Sequence, residues 1–189
     1  MIVLFLIAFA CVHIEKSEES TPNWLQKHKL LLDYATEQDY SIGLFLLIDF
    51  TIPSSEKRLY VIDGRGNLIH SGFVAHGHCQ EPLNVDNKVQ FSNVSGSNCS
   101  SLGRFIIAEK YQGIFGRSYR LDGLDSTNNN ARVRNIVLHS HSCVPEIDTG
   151  LRICQSEGCP TLSPALLDWL EPLLDQEAKP VLIWIFSEA

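Results

Sequence analysis

The fold and the chemistry of this chain are indicated most clearly by two segments, Gln155-Ser156-Glu157-Gly158-Cys159-Pro160 and NIVLHSH at residues 135–141. Glycine before cysteine permits a tight turn that can present the thiol and its own N–H to a substrate carbonyl. The apolar run at 136–138 predicts a short buried strand, with His139 where that strand leaves the core. The 20 positions between residues 139 and 159 let the chain loop round and return beside the histidine. Because an imidazole can remove a thiol proton, we predict Cys159 as nucleophile and His139 as its base.

Further motifs occur in order before this pair. They are IDFTIPSSEKRLYV (48–61), VAHG (74–77), FSN (91–93), SSLG (100–103), LDGL (121–124) and NARVRNIVLH (130–139). Together with His-Ser and Ser-x-Gly-Cys-Pro, they resemble the murein L,D-transpeptidase catalytic domains, the YkuD-like cysteine enzymes of bacterial cell-wall synthesis. The resemblance runs from about residue 43 to the C-terminus. It implies a mostly β fold, a curled mixed β-sheet or sandwich with a few helices.

The resemblance also implies a reaction and a set of site residues. Cys159 would attack a peptidoglycan tetrapeptide stem, release D-alanine and pass the acyl group to an amine, or to water as an L,D-carboxypeptidase. His139 would move the protons, and the backbone carbonyl of Ser140 would orient its imidazole. The residues implied to bind the oxyanion or substrate are Ser156, Gly158, His76 and Gly77. No cofactor and no metal are implied.

Three positions depart from the family pattern. Glu157 stands where many members have histidine, and Ser140 stands where this branch usually has glycine. Gln155 replaces an arginine of the branch, which removes a positive charge near the thiolate or the substrate carboxylate. This last change bears on rate and substrate preference.

Two other functions stay open. The clusters His76-Gly77-His78-Cys79 and His139-Ser140-His141-Ser142-Cys143 could hold zinc, as in a metal-dependent hydrolase. A non-catalytic wall-binding module that kept the fold but lost turnover is the second alternative. Cys159 itself, as a single cysteine after glycine, also fits a buried apolar residue or half of a disulfide.

Composition limits the class of partner. The 189 residues suffice for one domain plus a leader and can bury a core without disulfides. A net charge of −7 excludes nucleic acid as a partner, because Lys and Arg carry that binding. No Gly-rich phosphate loop occurs, so no nucleotide cofactor is indicated.

The N-terminus predicts export. Residues 1–12 are apolar, too short to span a bilayer, and are typical of a signal-peptide core. Ala8-Phe9-Ala10 has the form of a cleavage site, and Cys11 after it is a candidate lipid anchor. We expect a leader and linker at 1–22, a catalytic domain at 23–189, and a periplasmic or cell-envelope location, with anchoring at the N-terminus left open.

Six cysteines are present. Setting aside Cys11 and Cys159 leaves four, at 79, 99, 143 and 154, an even number that allows two bridges in an oxidising compartment. Four cysteines allow three pairings, and all four could equally be reduced and buried. We favour Cys143 with Cys154, because that bridge would close the loop between His139 and Cys159.

Periodicity predicts two helices and about seven strands. One helix is expected at 23–38, and another begins at Pro164 with Ser163 as its N-cap. Lys57 and Arg58 are expected at a solvated edge. The strands are expected at 43–50, 58–62, 68–75, 104–111, 118–121, 136–138 and 181–186. Without βαβ alternation, this pattern favours a mostly β domain with a mixed or antiparallel sheet.

Overall fold

The computed structural model describes residues 22–79 and 89–188. The expected leader, with Cys11 and the candidate cleavage site, lies outside the described residues. The two helices are α1 (Asn23–Glu37) and α2 (Pro164–Gln176). The eight strands are β1 (Leu44–Asp49), β2 (Leu59–Asp63), β3 (Leu68–Gly72), β4 (Gly103–Gly113), β5 (Gly116–Gly123), β6 (Val137–Ser140), β7 (Thr161–Leu162) and β8 (Val181–Phe186).

Both helices begin where the sequence predicts. Ser163 caps α2, since its Oγ accepts a hydrogen bond from the Leu166 N–H at 3.2 Å. Pro164 occupies the first turn, where its missing N–H costs no hydrogen bond. Pro22 stands at the N-cap of α1 without a side-chain cap bond.

The strands form one mixed sheet in the order β3-β2-β1-β8-β4-β5-β6-β7. The pairs β1/β8 and β6/β7 are parallel, and the other pairs are antiparallel. β1 is buried along its whole length because both of its faces are covered. Leu44, Leu46 and Ile48 pack in the cluster that includes the apolar face of α2, whereas Phe45 and Leu47 pack with α1. This double burial explains the continuous apolar run.

The sheet curls so that its two edges approach each other. After β3 the chain crosses to the opposite edge, where Ala75 pairs with Thr161 and Gly77 pairs with Ser156. The mostly β, curled mixed sheet is therefore confirmed. The expected strand at 68–75 was too long. β3 ends at Gly72, and the residues after it pair with the opposite edge of the sheet.

Candidate active site

β6 and β7 bring the predicted base and nucleophile onto adjacent segments. β6 contains His139, and β7 begins two residues after Cys159. The Cys159 Sγ accepts a hydrogen bond from the Val137 N–H at 3.4 Å, and the thiol donates to the Asn135 carbonyl at 3.8 Å. The chain therefore leaves the sheet after His139 and returns beside the same strand, as the spacing predicts.

The two ring nitrogens of His139 have different partners. Nδ1 lies 3.2 Å from the Ser140 carbonyl oxygen, and Nε2 lies 3.0 Å from the Thr161 Oγ1. A carbonyl can only accept, so in the neutral imidazole Nδ1 carries the hydrogen and Nε2 the lone pair. Burial lowers the pKa of His139; the Ser140 carbonyl raises it in part and the charge of His141 lowers it. The resting imidazole is thus neutral at pH 7, with Nε2 as its basic nitrogen.

An aromatic ring covers one face of this imidazole. Phe115, at the turn between β4 and β5, stacks on His139 with ring centroids 4.4 Å apart. Its side chain remains 46% exposed, and the neighbouring Ile114 is 93% exposed. The hairpin tip therefore presents an apolar surface at the base, a contact that local sequence patterns do not reveal.

The environment of Cys159 favours the protonated thiol at rest. The residue is only 9% exposed. Burial raises the pKa of Cys159, whereas the Val137 N–H and the Arg134 charge lower it and Glu157 raises it further. A thiolate therefore requires a base, and the predicted base His139 lies two residues after Val137, whose N–H contacts the Cys159 Sγ.

Gly158 forms the tight turn that the sequence predicts. Its φ is 116°, and a Cβ at this position would lie 2.8 Å from the Cys99 carbonyl oxygen. The Ser100 Oγ donates to the Gly158 carbonyl at 3.0 Å and accepts from the Gly77 N–H at 2.9 Å. The segments around residues 77 and 100 thus form the wall behind the Gly158–Cys159 turn.

Ser156 uses its hydroxyl within the same turn. Its Oγ donates to the Cys159 carbonyl at 2.6 Å and accepts from the Gly158 N–H at 3.2 Å. Its backbone N–H donates to the His76 carbonyl at 2.8 Å. The structure therefore brings together the residues expected to bind the oxyanion or substrate, and that role for them stays a prediction.

The His76 side chain points away from the turn into a buried polar network. The Arg58 Nη2 donates to its Nδ1 at 2.7 Å, and its Nε2 lies 3.2 Å from the Gln155 amide nitrogen. Because Nδ1 accepts, Nε2 carries the hydrogen, and a half-turn of the Gln155 amide would present an oxygen to it. Burial, with the charges of Arg58 and Arg152, lowers the pKa of His76 to about 4.

The expectation that Arg58 lies at a solvated edge was wrong. Its side chain is 0% exposed. The guanidinium replaces water by donating to the carbonyls of Val74, at 2.8 Å and 3.0 Å, and Ile52, at 3.1 Å. Phe50 lies against it, with its ring centroid 4.7 Å away. Burial lowers the pKa of Arg58 to about 10, so it stays charged.

Arg134 supplies a positive charge near the thiol that the motifs themselves do not indicate. It donates to the carbonyls of Ser92 and Cys99, each at 2.7 Å, and to the Ser97 Oγ at 3.2 Å. The same Cys99 carbonyl abuts Gly158. Arg134 therefore holds the wall behind the Gly158–Cys159 turn in place and lowers the pKa of Cys159, an effect expected from the arginine that Gln155 replaces.

Two disulfides close the loops beside the site. Cys143 pairs with Cys154, which confirms the favoured pairing, and Cys79 pairs with Cys99. Among the described residues, Cys159 is the one free cysteine.

The residues that could have bound zinc are engaged in other bonds in this structure. Cys79 and Cys143, the cysteines of the two His/Cys clusters, are both consumed by the bridges. His76 and His139 use their ring nitrogens for the contacts described above. Within residues 22–79 and 89–188, no group of three His, Cys, Asp or Glu side chains could hold a metal ion.

A family model described as an L,D-transpeptidase catalytic domain matches residues 16–184 of the chain. The chain belongs to this family. The resemblance in the motifs is thus confirmed, and the match includes both segments that carry Cys159 and His139.

Solved structures similar to this L,D-transpeptidase domain come from several bacteria. An L,D-transpeptidase from Mycobacterium smegmatis is 13% identical with a TM-score of 0.45, and the match covers 76% of this chain and 58% of that one. The helical cell shape determining protein Pgp2 from Campylobacter jejuni is 13% identical with a TM-score of 0.48, over 87% and 57%. An L,D-transpeptidase from Enterococcus faecium is 12% identical with a TM-score of 0.46, over 75% and 50%.

The domain thus spans less than two thirds of each of these proteins. No curated protein matches it significantly. Neither helix in the described part of the chain is long and apolar enough to cross a membrane.

Proposed function

We propose that this chain is a cysteine-dependent L,D-transpeptidase acting on peptidoglycan stem peptides. One observation supports the proposal most directly. The Sγ of Cys159, the free cysteine of the described residues, accepts a hydrogen bond from the N–H of Val137, which lies two residues before His139 on β6. A thiol and an imidazole on adjoining segments are the pair that acyl transfer through a thioester requires.

The reaction begins with proton transfer. The Cys159 S–H bond breaks, the proton moves to His139 Nε2, and the thiolate attacks the carbonyl of the penultimate stem residue, a diaminopimelate followed by D-alanine. When the tetrahedral intermediate collapses, its C–N bond breaks and the imidazolium protonates the leaving amine. D-Alanine departs and a thioester remains. An amine of a second stem, or water, then loses a proton to His139 and attacks the thioester carbonyl; the C–S bond breaks and the Cys159 thiol is restored with that proton, which leaves a cross-link or the carboxypeptidase product.

A backbone donor is available for the oxyanion. Within the described residues the Cys159 N–H has no hydrogen-bond partner, whereas the Gly158 N–H is occupied by the Ser156 Oγ at 3.2 Å. A preorganised donor at such a site contributes about 3 to 4 kcal/mol to the transition state. We therefore assign the oxyanion to the Cys159 N–H and assign Ser156 to holding the turn.

The thiol must turn before it reacts. At rest it donates to the Asn135 carbonyl, and His139 Nε2 contacts Thr161 instead. Catalytic hydrogen bonds are often loose without substrate and tighten in the complex. Substrate binding at the Phe115 side would bring the thiol and the imidazole together.

Two disulfides support an extracytoplasmic site of action. Disulfides persist in oxidising compartments, where peptidoglycan stems also lie. We therefore assign the domain to the cell envelope. Cleavage of the expected leader and anchoring at the N-terminus stay predictions.

Intact mass spectrometry of the protein tests the function. We expect a tetrapeptide stem to release D-alanine and a carbapenem to leave an adduct on Cys159. Cys159→Ser should abolish both with the fold intact, and His139→Ala should reduce the rate at least about a thousandfold, because general-base assistance and nucleophile activation are lost. Full activity in Cys159→Ser would exclude the mechanism.

A non-catalytic wall-binding module is the second candidate. The buried, protonated thiol and the loss of the family arginine at Gln155 favour it. Such a module would bind isolated peptidoglycan without changing it, so it would form no adduct and release no D-alanine. A thiol-reactive probe separates the candidates, since an enzyme's Cys159 should react faster once a stem peptide is bound.

A further inference from the structure

Thr161 faces the basic nitrogen of His139 from the neighbouring strand. The two residues are register partners in the parallel pair β6/β7, so their side chains project to the same side of the sheet. Both side chains are buried. The Thr161 backbone is also tied to Ala75, with N–H···O distances of 2.8 Å and 3.3 Å. A β-branched side chain on such a fixed backbone keeps its hydroxyl in place.

The hydrogens in this contact can be assigned. Since Nδ1 of neutral His139 donates to the Ser140 carbonyl, Nε2 offers a lone pair, and the Thr161 hydroxyl must donate to it across 3.0 Å. Thr161 has one hydrogen, so in this state it cannot also donate to the Cys159 carbonyl, which lies 3.3 Å from its Oγ1.

The assignment changes when His139 gains a proton. Nε2 then carries a hydrogen and donates to the Thr161 Oγ1, and the hydroxyl hydrogen turns to the Cys159 carbonyl. The Cys159 carbonyl, which already accepts from the Ser156 Oγ, then accepts a second hydrogen bond, and Nδ1 still donates to Ser140. Bonds to a charged donor are roughly twice as strong as neutral ones, so this network favours the imidazolium.

We propose that Thr161 is a positioning residue for His139, whose hydroxyl donates to Nε2 of the neutral resting ring and turns to the Cys159 carbonyl when the thiol approaches, which frees the Nε2 lone pair for the thiol proton. The same hydroxyl oxygen then accepts from Nε2–H of the imidazolium until that proton passes to the leaving amine. The inference rests on the proposed function, because it gives the base of that reaction a partner in both protonation states. It also places a residue in the mechanism that the Cys159 and His139 motifs do not name.

The other groups around the imidazole are known. The Phe115 ring covers one face from the β4/β5 turn and carries no titratable group. His141, beyond the end of β6, opposes protonation through its charge. The Cys159 backbone carbonyl lies on the other side of the Thr161 hydroxyl and is not titratable. Thr161 therefore offsets part of the effect of burial on the ring.

The matched pair Thr161→Val and Thr161→Ser isolates the hydroxyl. Valine keeps the shape of threonine without the hydroxyl, and serine keeps the hydroxyl. Ring 15N shifts of His139, assigned by their loss in His139→Asn, report its tautomer and pKa without any turnover. In Thr161→Val we expect a pKa lower by about 1 unit, equivalent to one net hydrogen bond. We expect Thr161→Ser to stay close to the unsubstituted chain.

Kinetics of D-alanine release give the second readout. Thr161→Val should lower kcat about tenfold with KM unchanged, and Thr161→Ser should recover most of it. The inference falls if Thr161→Val leaves the His139 pKa unchanged. It also falls if the unsubstituted chain holds neutral His139 as the Nε2–H tautomer, a measurement that needs no variant. A pKa shift without turnover in any form would support the contact and overturn the proposed function instead.

Discussion

At the scale of single residues, Gly158 determines the position of the nucleophile. Its φ of 116° is accessible to glycine, and a Cβ there would meet the Cys99 carbonyl oxygen at 2.8 Å and the Ile136 side chain at 3.1 Å. We expect Gly158→Ala to lower the free energy of unfolding by about 2 to 3 kcal/mol through strain and the contact. Adduct formation at Cys159 should slow at least about tenfold, because a displaced turn misplaces the thiol.

Gly150 provides the control for this substitution. Its φ is also positive, at 67°, but no atom lies within 4 Å of an added Cβ. Gly150→Ala should therefore cost about 1 kcal/mol, the backbone term alone, and leave the adduct rate unchanged. Denaturant unfolding of both variants gives the comparison. Equal costs would mean that the wall at Cys99 does not constrain the turn.

His76 should make the stability of the domain depend on pH. Its pKa is about 4 in the folded chain and 6.5 as a free side chain. The unfolded chain binds the proton first as pH falls, so this stability is fully present above about pH 6.5 and is lost toward about pH 4. We expect a loss of about 2 kcal/mol between about pH 7 and about pH 4.5.

His76→Gln removes this dependence while keeping a group that can accept from Arg58. Urea unfolding at both pH values should show a smaller loss for this variant than for the unsubstituted chain. A residual slope is expected, because burial also lowers the pKa of His28 and His139. The same slope in both chains would mean that protonated His76 is tolerated in the fold.

The site residues differ in how far the sequence could predict them. Cys159 and His139 stand in local patterns, a turn glycine and a strand end, and were predicted from them. Thr161 and Phe115 contact His139 only because the sheet brings them together, since Phe115 lies on a different hairpin from His139. Arg58 was misplaced because charge alone predicts exposure, whereas carbonyls from distant segments satisfy its guanidinium in the interior.

At the scale of elements, the strands that carry an apolar run were predictable, including the short β6, and the two-residue β7 was not. β1 and β8 are buried on both faces, so their sequences are continuous apolar runs. β7 has two residues, too few for any periodicity, and was not predicted. It exists because the chain around Ala75 pairs with it from one side and β6 from the other. The strand that completes the site is thus fixed by tertiary pairing.

At the scale of the whole molecule, both disulfides lie beside the site and outside the two largest apolar clusters. Cys79–Cys99 joins the segments that pack against Gly158, and Cys143–Cys154 closes the connection from β6 to β7. The main clusters contain β1, β8 and both helices and include none of these cysteines. We therefore expect the core to stay folded without the bridges and the loops beside the site to depend on them.

Hydrogen exchange with and without a reductant tests this division. Each bridge stabilises the loop it closes by up to about 3 kcal/mol, because it restricts the unfolded chain. When a bridge is reduced, local unfolding begins in the segments with the fewest buried contacts. On reduction we expect amides in 76–79, 97–101 and 141–160 to exchange at least about tenfold faster, while β1 and β8 keep their protection. Adduct formation should fall together with the protection of the site.

The variants Cys143→Ser/Cys154→Ser and Cys79→Ser/Cys99→Ser should each reproduce the change in their own segments, since neither bridge shares a loop with the other. Faster exchange throughout β1 and β8 would show instead that the core itself depends on the bridges. A core that is stable without them should keep its amide protection when the loops beside it unfold.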